Sequence, residues 1–135
     1  MDKPIVLIVD DEKSARDGLV RALRRDYRVF AAENATSALE MLRSHPIDVL
    51  LSDVRMPGMD GITLMQRALA HNPELICIIL TAYGDVEMAV QAMKKGAADF
   101  MIKPINLDKL EFTLDRVLAA KKIELENRQL RVQLD

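Results

Sequence analysis

Five short runs of Val, Ile and Leu recur along this chain at near-regular intervals: Ile5–Val9, Val29–Ala32, Val49–Ser52, Leu75–Leu80 and Phe100–Ile102. Each is continuously apolar rather than alternating. A strand with one solvated face alternates, so continuous runs describe strands covered on both faces, as in a parallel sheet. Between the runs lie segments of helical period. The first carries Ala15, Leu19, Ala22 and Leu23 on one face, and Ser14 with Asp17 three residues on reads as a capping box. A second carries Ala35, Ala38, Leu39 and Leu42 and stops at His45-Pro46. Ile62 to Ala70 forms a third, ending at Asn72-Pro73. Val86, Ala89, Val90 and Met93 mark a fourth, closed by Lys94-Lys95-Gly96 with basic residues in the last turn and glycine beyond it. The fifth begins near Asn106 with Leu107, Leu110, Leu114 and Val117 and continues towards Asp135 with no Gly or Pro. Strands alternating with helices make βαβ units. The expected fold is an α/β three-layer (βα)5 sandwich around a five-stranded parallel sheet in the order 2-1-3-4-5.

The chain has 135 residues, enough for one independent core but not for two. Residues 1–120 are assigned to the folded domain and 121–135 to a helical extension. A net charge of −2, from 19 basic and 21 acidic residues, gives no electrostatic basis for nucleic-acid or membrane-surface binding by this stretch. The single cysteine, Cys77, lies in "LICIIL" and reads as a packing residue. No apolar stretch approaches the roughly 20 residues of a membrane span, and "MDKP" does not open a signal peptide. These features point to a reducing, cytoplasmic setting.

In an open α/β sheet, ligands bind beyond the carboxyl ends of the strands, where strand order reverses. What each strand presents there is therefore informative. The first presents Asp10 and Asp11, the third Asp53, the fourth Thr81 and the fifth Lys103 followed by Pro104. Glu33 and Asn34, after the second, are given no role. With strand one beside strand three, three carboxylates meet in one crevice flanked by Thr81 and Lys103. Like charges repel at that density, so a cation is required. Oxygen donors without His or Cys suit Mg²⁺ rather than zinc. Any one of these residues alone is an ordinary turn or capping residue. Their convergence on one edge is what favours a site.

Taken in order, "IVLIVDDE", "DVLLSDVRMPGMDG", "IILTAYGD" and "KKGAADFMIKPI" resemble the receiver domain (CheY-like) of two-component response regulators, over residues 4 to about 120. The resemblance implies that Asp53 accepts a phosphoryl group from a phosphohistidine on a partner histidine kinase. It implies direct Mg²⁺ ligation by Asp11, Asp53 and the backbone carbonyl of Arg55, with Asp10 acting mostly through a metal-bound water. Lys103 would pair with the phosphate, Thr81 would donate its hydroxyl to it, and Phe100 would be the switching aromatic. The Lys103–Pro104 bond would be cis. Arg55 and Tyr83 fall where the family varies its residues to tune phosphoryl lifetime, and a bulky Tyr83 is expected to shield the acyl phosphate from water.

The segment "TAYGDVEMAVQAMKKGAADFMIKP" followed by "LENRQL" is similar to nitrogen-regulator (NtrC-like) activators, in which a receiver precedes an AAA+ ATPase and a DNA-binding domain that act with sigma-54. Without a Walker A motif, this stretch is not itself the ATPase. The chain ends mid-pattern, so a longer regulator is expected. In the extension, Ile123, Asn127, Leu130 and Leu134 step 4, 3, 4, while Leu118, Leu125 and Val132 form a competing stripe. Either supports a homodimeric coiled coil. Three rivals remain. A Mg²⁺-dependent phosphohydrolase would want Asp-x-Asp and a cap domain. A flavodoxin-like carrier would want a Ser/Thr-rich phosphate loop. A pseudo-receiver would be an interaction module that never takes phosphate.

Overall fold

The computed structural model describes residues 2–134, with side chains described through Arg131. By compactness the chain divides into a unit ending at Pro104 and a second beginning at Ile105. The first unit holds the whole sheet: β1 Ile5–Val9, β2 Arg28–Ala32, β3 Val49–Asp53, β4 Ile76–Thr81 and β5 Asp99–Ile102. All pairings are parallel and the order is β2-β1-β3-β4-β5, as expected from the runs of apolar residues. The three interior strands β1, β3 and β4 are buried almost throughout, which is why they read as unbroken apolar runs.

Helices α1 Lys13–Leu23, α2 Ala35–Ser44, α3 Gly61–His71 and α4 Val86–Lys94 connect the strands. One continuous core joins Leu7, Val9, Leu50, Cys77 and Ile79 of the sheet to Ala35 and Ala38 of α2, Leu64, Met65 and Ala68 of α3, and Ala92 of α4. Leu19 and Leu23 of α1 are buried outside that cluster. So are the alternate sheet residues Val6, Ile8, Leu51, Ile78 and Leu80, on the opposite face.

Helix starts differ from the simplest reading of the sequence in two places. No capping box forms at α1: Glu12 occupies the N-cap position without a side-chain cap, and Ser14 Oγ donates to Glu12 Oε1 at 3.0 Å. Glu12's own N–H is taken by Asp10 Oδ1 at 2.9 Å, so the chain is already tethered before the helix begins. Conversely Asn34, assigned no role, caps α2 by accepting from Ser37 N–H at 2.8 Å. In α4 the buried residues are Ala89 and Ala92, not the larger Val90 and Met93, which are 43% and 40% exposed. The helix ends as anticipated, with Gly96 at φ +119°.

The second unit is α5, Leu107–Leu134, entered through Asn106, whose side chain accepts from Lys109 N–H at 3.1 Å. Leu110, Thr113, Leu114 and Val117 form its buried stripe. Further on Ile123, Leu125 and Leu130 are exposed, and Arg128 pairs with Glu124 at 2.7 Å. The side chains of Val132 and Leu134, one in each proposed seam, lie outside the described residues.

Candidate functional site

Parallel register brings the carboxyl ends of β1, β3, β4 and β5 to one edge, with Asp53 opposite Leu80 and Thr81 opposite Ile102. Asp10 and Asp11 follow β1 at the same edge. One carboxylate oxygen from each of Asp10, Asp11 and Asp53 lies within 4.8 Å of the others. Asp10 is fully buried, Asp53 half-buried and Asp11 exposed. Lys103 reaches into this group: its Nζ lies 2.8 Å from Asp53 Oδ2 and 3.1 Å from Asp10 Oδ2.

These contacts divide the carboxylates by the work left to them. Both oxygens of Asp10 already have a donor, Glu12 N–H on Oδ1 and the ammonium on Oδ2. Asp11 carries no ion pair or hydrogen bond among the described residues. Asp53 gives one oxygen to Lys103. Lone pairs remain unclaimed on Asp11 and Asp53, whose carboxylates approach within 4.8 Å, a hard donor set fit for a small divalent cation.

Electrostatics follow from the same arrangement. Burial pushes the Asp53 carboxyl above its usual value; the hydrogen bond and charge of Lys103 pull it down, and the charge of Asp10 pushes it up again. Burial alone would lower the Lys103 ammonium, but Asp53 and Asp10 together outweigh it and hold the group above its ordinary range. One ammonium is shared between two carboxylates, so each carboxylate has half a cation and a repelling neighbour. The cluster is short of positive charge.

Thr81 and Arg55 lie at this edge but point elsewhere. Thr81 is fully buried, and its hydroxyl lies 3.2 Å from the Asp85 carbonyl and 3.3 Å from that of Ala82. The Arg55 guanidinium forms a two-pronged pair with Asp85, Nε to Oδ2 at 2.6 Å and a terminal nitrogen to Oδ1 at 2.8 Å. Tyr83, in the 3-10 turn Tyr83–Asp85, is 82% exposed. Phe100 is half-buried on β5 and packs against the core cluster. The Lys103–Pro104 peptide bond is cis.

Two contributors escaped the sequence reading. Gly61 opens α3 hard against the end of β3: its N–H bonds the Val54 carbonyl at 2.8 Å, and a Cβ there would run into the Asp53 carbonyl oxygen. The signal was the glycine of "MPGMDG", whose role shows only when α3 is placed against Asp53. Asp85 is the other; its partner Arg55 lies 30 residues away, and no local pattern reveals that pairing.

Comparison with known proteins gives the same answer as the geometry. Residues 6–115 match the response regulator receiver domain family. The chain belongs to that family. As a receiver domain it is 38% identical over 129 residues to the C4-dicarboxylate transport transcriptional regulatory protein DctD of Rhizobium meliloti, covering 95% of this chain and 28% of that protein. It is 41% identical over 120 residues to the DNA-binding transcriptional regulator NtrC of Escherichia coli K12, covering 88% and 26%. NtrX from Brucella abortus in complex with ADP superposes with a TM-score of 0.90 at 30% identity, over 95% of this receiver and 30% of that chain. A response regulator receiver domain protein from Clostridium thermocellum superposes at 0.85 with 28% identity, over 89% and 98%. The receiver thus spans between a quarter and a third of DctD, NtrC and NtrX, in keeping with an NtrC-like resemblance.

Proposed function

We propose that this receiver domain is a phosphorylation switch in which Asp53 takes a phosphoryl group from a phosphohistidine on a histidine kinase. The observation that carries the reading is Lys103, held 2.8 Å from one oxygen of Asp53 where carboxylate oxygens of Asp10, Asp11 and Asp53 gather within 4.8 Å of one another. A carboxylate is a poor nucleophile towards an anionic phosphate because both are negative. The ammonium cancels part of that repulsion and stabilises charge on the transferring oxygens. Asp11, Asp53 and the Arg55 carbonyl would hold Mg²⁺, with Asp10 reaching it through water. When bound, the ion supplies the remaining charge neutralisation and orients the phosphate. In the transfer, the bond between phosphorus and the imidazole nitrogen breaks as one to Asp53 forms. The electron pair stays on nitrogen, which takes up a proton.

A phosphoryl group on Asp53 adds charge and acceptor oxygens beside Thr81. Its hydroxyl would turn from the Asp85 carbonyl towards the phosphate, and Phe100 would occupy the space released. Residues 1–120 would act as the switch in the cytoplasm and 121–135 as a helical linker. The apolar residues left exposed at 123, 125 and 130 support a homodimeric coiled coil. AAA+ and DNA-binding domains acting with sigma-54 would follow, as the NtrC-like resemblance implies.

The deciding experiment is intact mass after incubation with acetyl phosphate and Mg²⁺. One phosphoryl adduct is expected on the native chain, none on Asp53→Asn, and none when EDTA is added first. A native chain without an adduct would instead make the acidic cluster part of an unphosphorylated interaction module.

A further inference from the structure

Two groups that could meet a phosphoryl group on Asp53 without belonging to the acidic cluster are the Thr81 hydroxyl and the Arg55 guanidinium. Both share one partner, Asp85, although the Thr81 hydroxyl also lies 3.3 Å from the Ala82 carbonyl. Thr81 Oγ1 lies 3.2 Å from the backbone carbonyl of Asp85, and Arg55 grips the Asp85 carboxylate at 2.6 and 2.8 Å. Arg55 also stands two residues after the acceptor Asp53 in the chain. Asp85 thus joins Arg55 through its carboxylate and Thr81 through its carbonyl.

Asp85 itself is displaced from its local task. It stands at the N-cap position of α4, where an aspartate ordinarily accepts from the first free backbone N–H groups. Asn34, Asp60 and Asn106 do this for α2, α3 and α5. Asp85 makes no such bond, because both its carboxylate oxygens serve Arg55.

Resting on the phosphoacceptor reading above, we propose that Asp85 is a latch residue that competes with the phosphoryl group for Arg55. In the unmodified protein it holds the guanidinium and the Thr81 hydroxyl away from the site. With a phosphoryl group on Asp53, the Arg55 fork exchanges a carboxylate for phosphate oxygens of matching two-pronged geometry. The freed Asp85 carboxylate then caps α4, which offsets part of the cost of opening the pair. Arg55 is 68% exposed on its side chain, so nothing sterically confines it to one partner, and the exchange is a modest bias.

A double-mutant cycle with beryllofluoride, a phosphoryl mimic, tests this by calorimetry in Mg²⁺. Asp85→Asn keeps a capping side chain but removes the charge that holds Arg55, so it should tighten beryllofluoride by about 2- to 5-fold, the size of an exposed ion pair. In an Arg55→Gln background the same substitution should change affinity by less than about 1.5-fold. Equal tightening in both backgrounds, or none in either, overturns the latch while leaving the phosphoacceptor reading intact. A native chain that neither binds beryllofluoride nor gains mass from acetyl phosphate overturns both.

Discussion

Helices α3 and α4 follow the two strands that carry Asp53 and Thr81, yet they are held in very different ways. Five residues of α3 are buried: Gly61, Ile62, Leu64, Met65 and Ala68. Asp60 caps its first turn at 2.8 Å, and Gly61 lets its first residue sit directly on the Asp53 carbonyl. Helix α4 buries only Ala89 and Ala92, leaves Val90 and Met93 half in water, and has no side-chain cap. Apolar area removed from water stabilises by about 25 cal/mol per Å², so α3 is anchored and α4 is only lightly attached. On the proposed function, an acceptor carboxylate would need a fixed position and the element beside Thr81 would need two, and the packing of α3 and α4 differs in that sense.

That contrast can be broken most severely at Leu64, fully buried beneath α3. Leu64→Ala should cost about 2–5 kcal/mol by urea unfolding, whereas the matched Met93→Ala on α4 should stay within about 0.5 kcal/mol. Gly61→Ala comes next. Its Cβ must displace the Asp53 carbonyl, costing about 1–3 kcal/mol and slowing adduct formation from acetyl phosphate; a normal rate would show that α3 does not position the acceptor. Asp60→Ala removes the cap of α3 for about 1 kcal/mol. Asp85→Ala, at the equivalent place on α4, should cost less, because its side chain makes no cap to lose.

A smaller effect tests the electrostatics. Burial raises the Asp53 carboxyl above 3.8, so the folded state disfavours its charge and Asp53 costs stability wherever it is ionised. Asp53→Asn should therefore raise the melting temperature at pH 7 by about a few degrees. The gain should shrink as pH falls through the raised value and disappear below 3.8, where the acid is neutral in both states. The slightest effect is expected of Tyr83→Ala. With the ring 82% exposed, adduct lifetime should stay within about 2-fold of the native value; faster loss would restore a shielding role.

Legibility in the sequence followed the range of the interaction. Strands such as Val49–Asp53 were visible because burial on both faces leaves only apolar side chains, a property each run carries by itself. Asp10, Asp11, Asp53 and Lys103 stood out because charge at the end of such a run needs an explanation. The buried side of α4 was misread from periodicity: the helix seats two alanines, so the larger Val90 and Met93 that dominate the pattern face out. At α1, a tether from Glu12 N–H to Asp10 replaced the expected box, a contact that depends on where the carboxylate points. The pairing of Arg55 with Asp85 leaves no local pattern, because it depends on the fold bringing β3 and β4 side by side.

The pairing of Lys103 with Asp10 spans 93 positions of chain. Nearly the whole domain must therefore be synthesised before its acids acquire their ammonium. On the proposed phosphoacceptor reading, a partly made polypeptide carries Asp10, Asp11 and Asp53 without the ammonium that would steady a transferring phosphoryl group. Competence to receive a signal would then arrive only with the residue that follows the last strand, and incomplete copies of the fold would lack it.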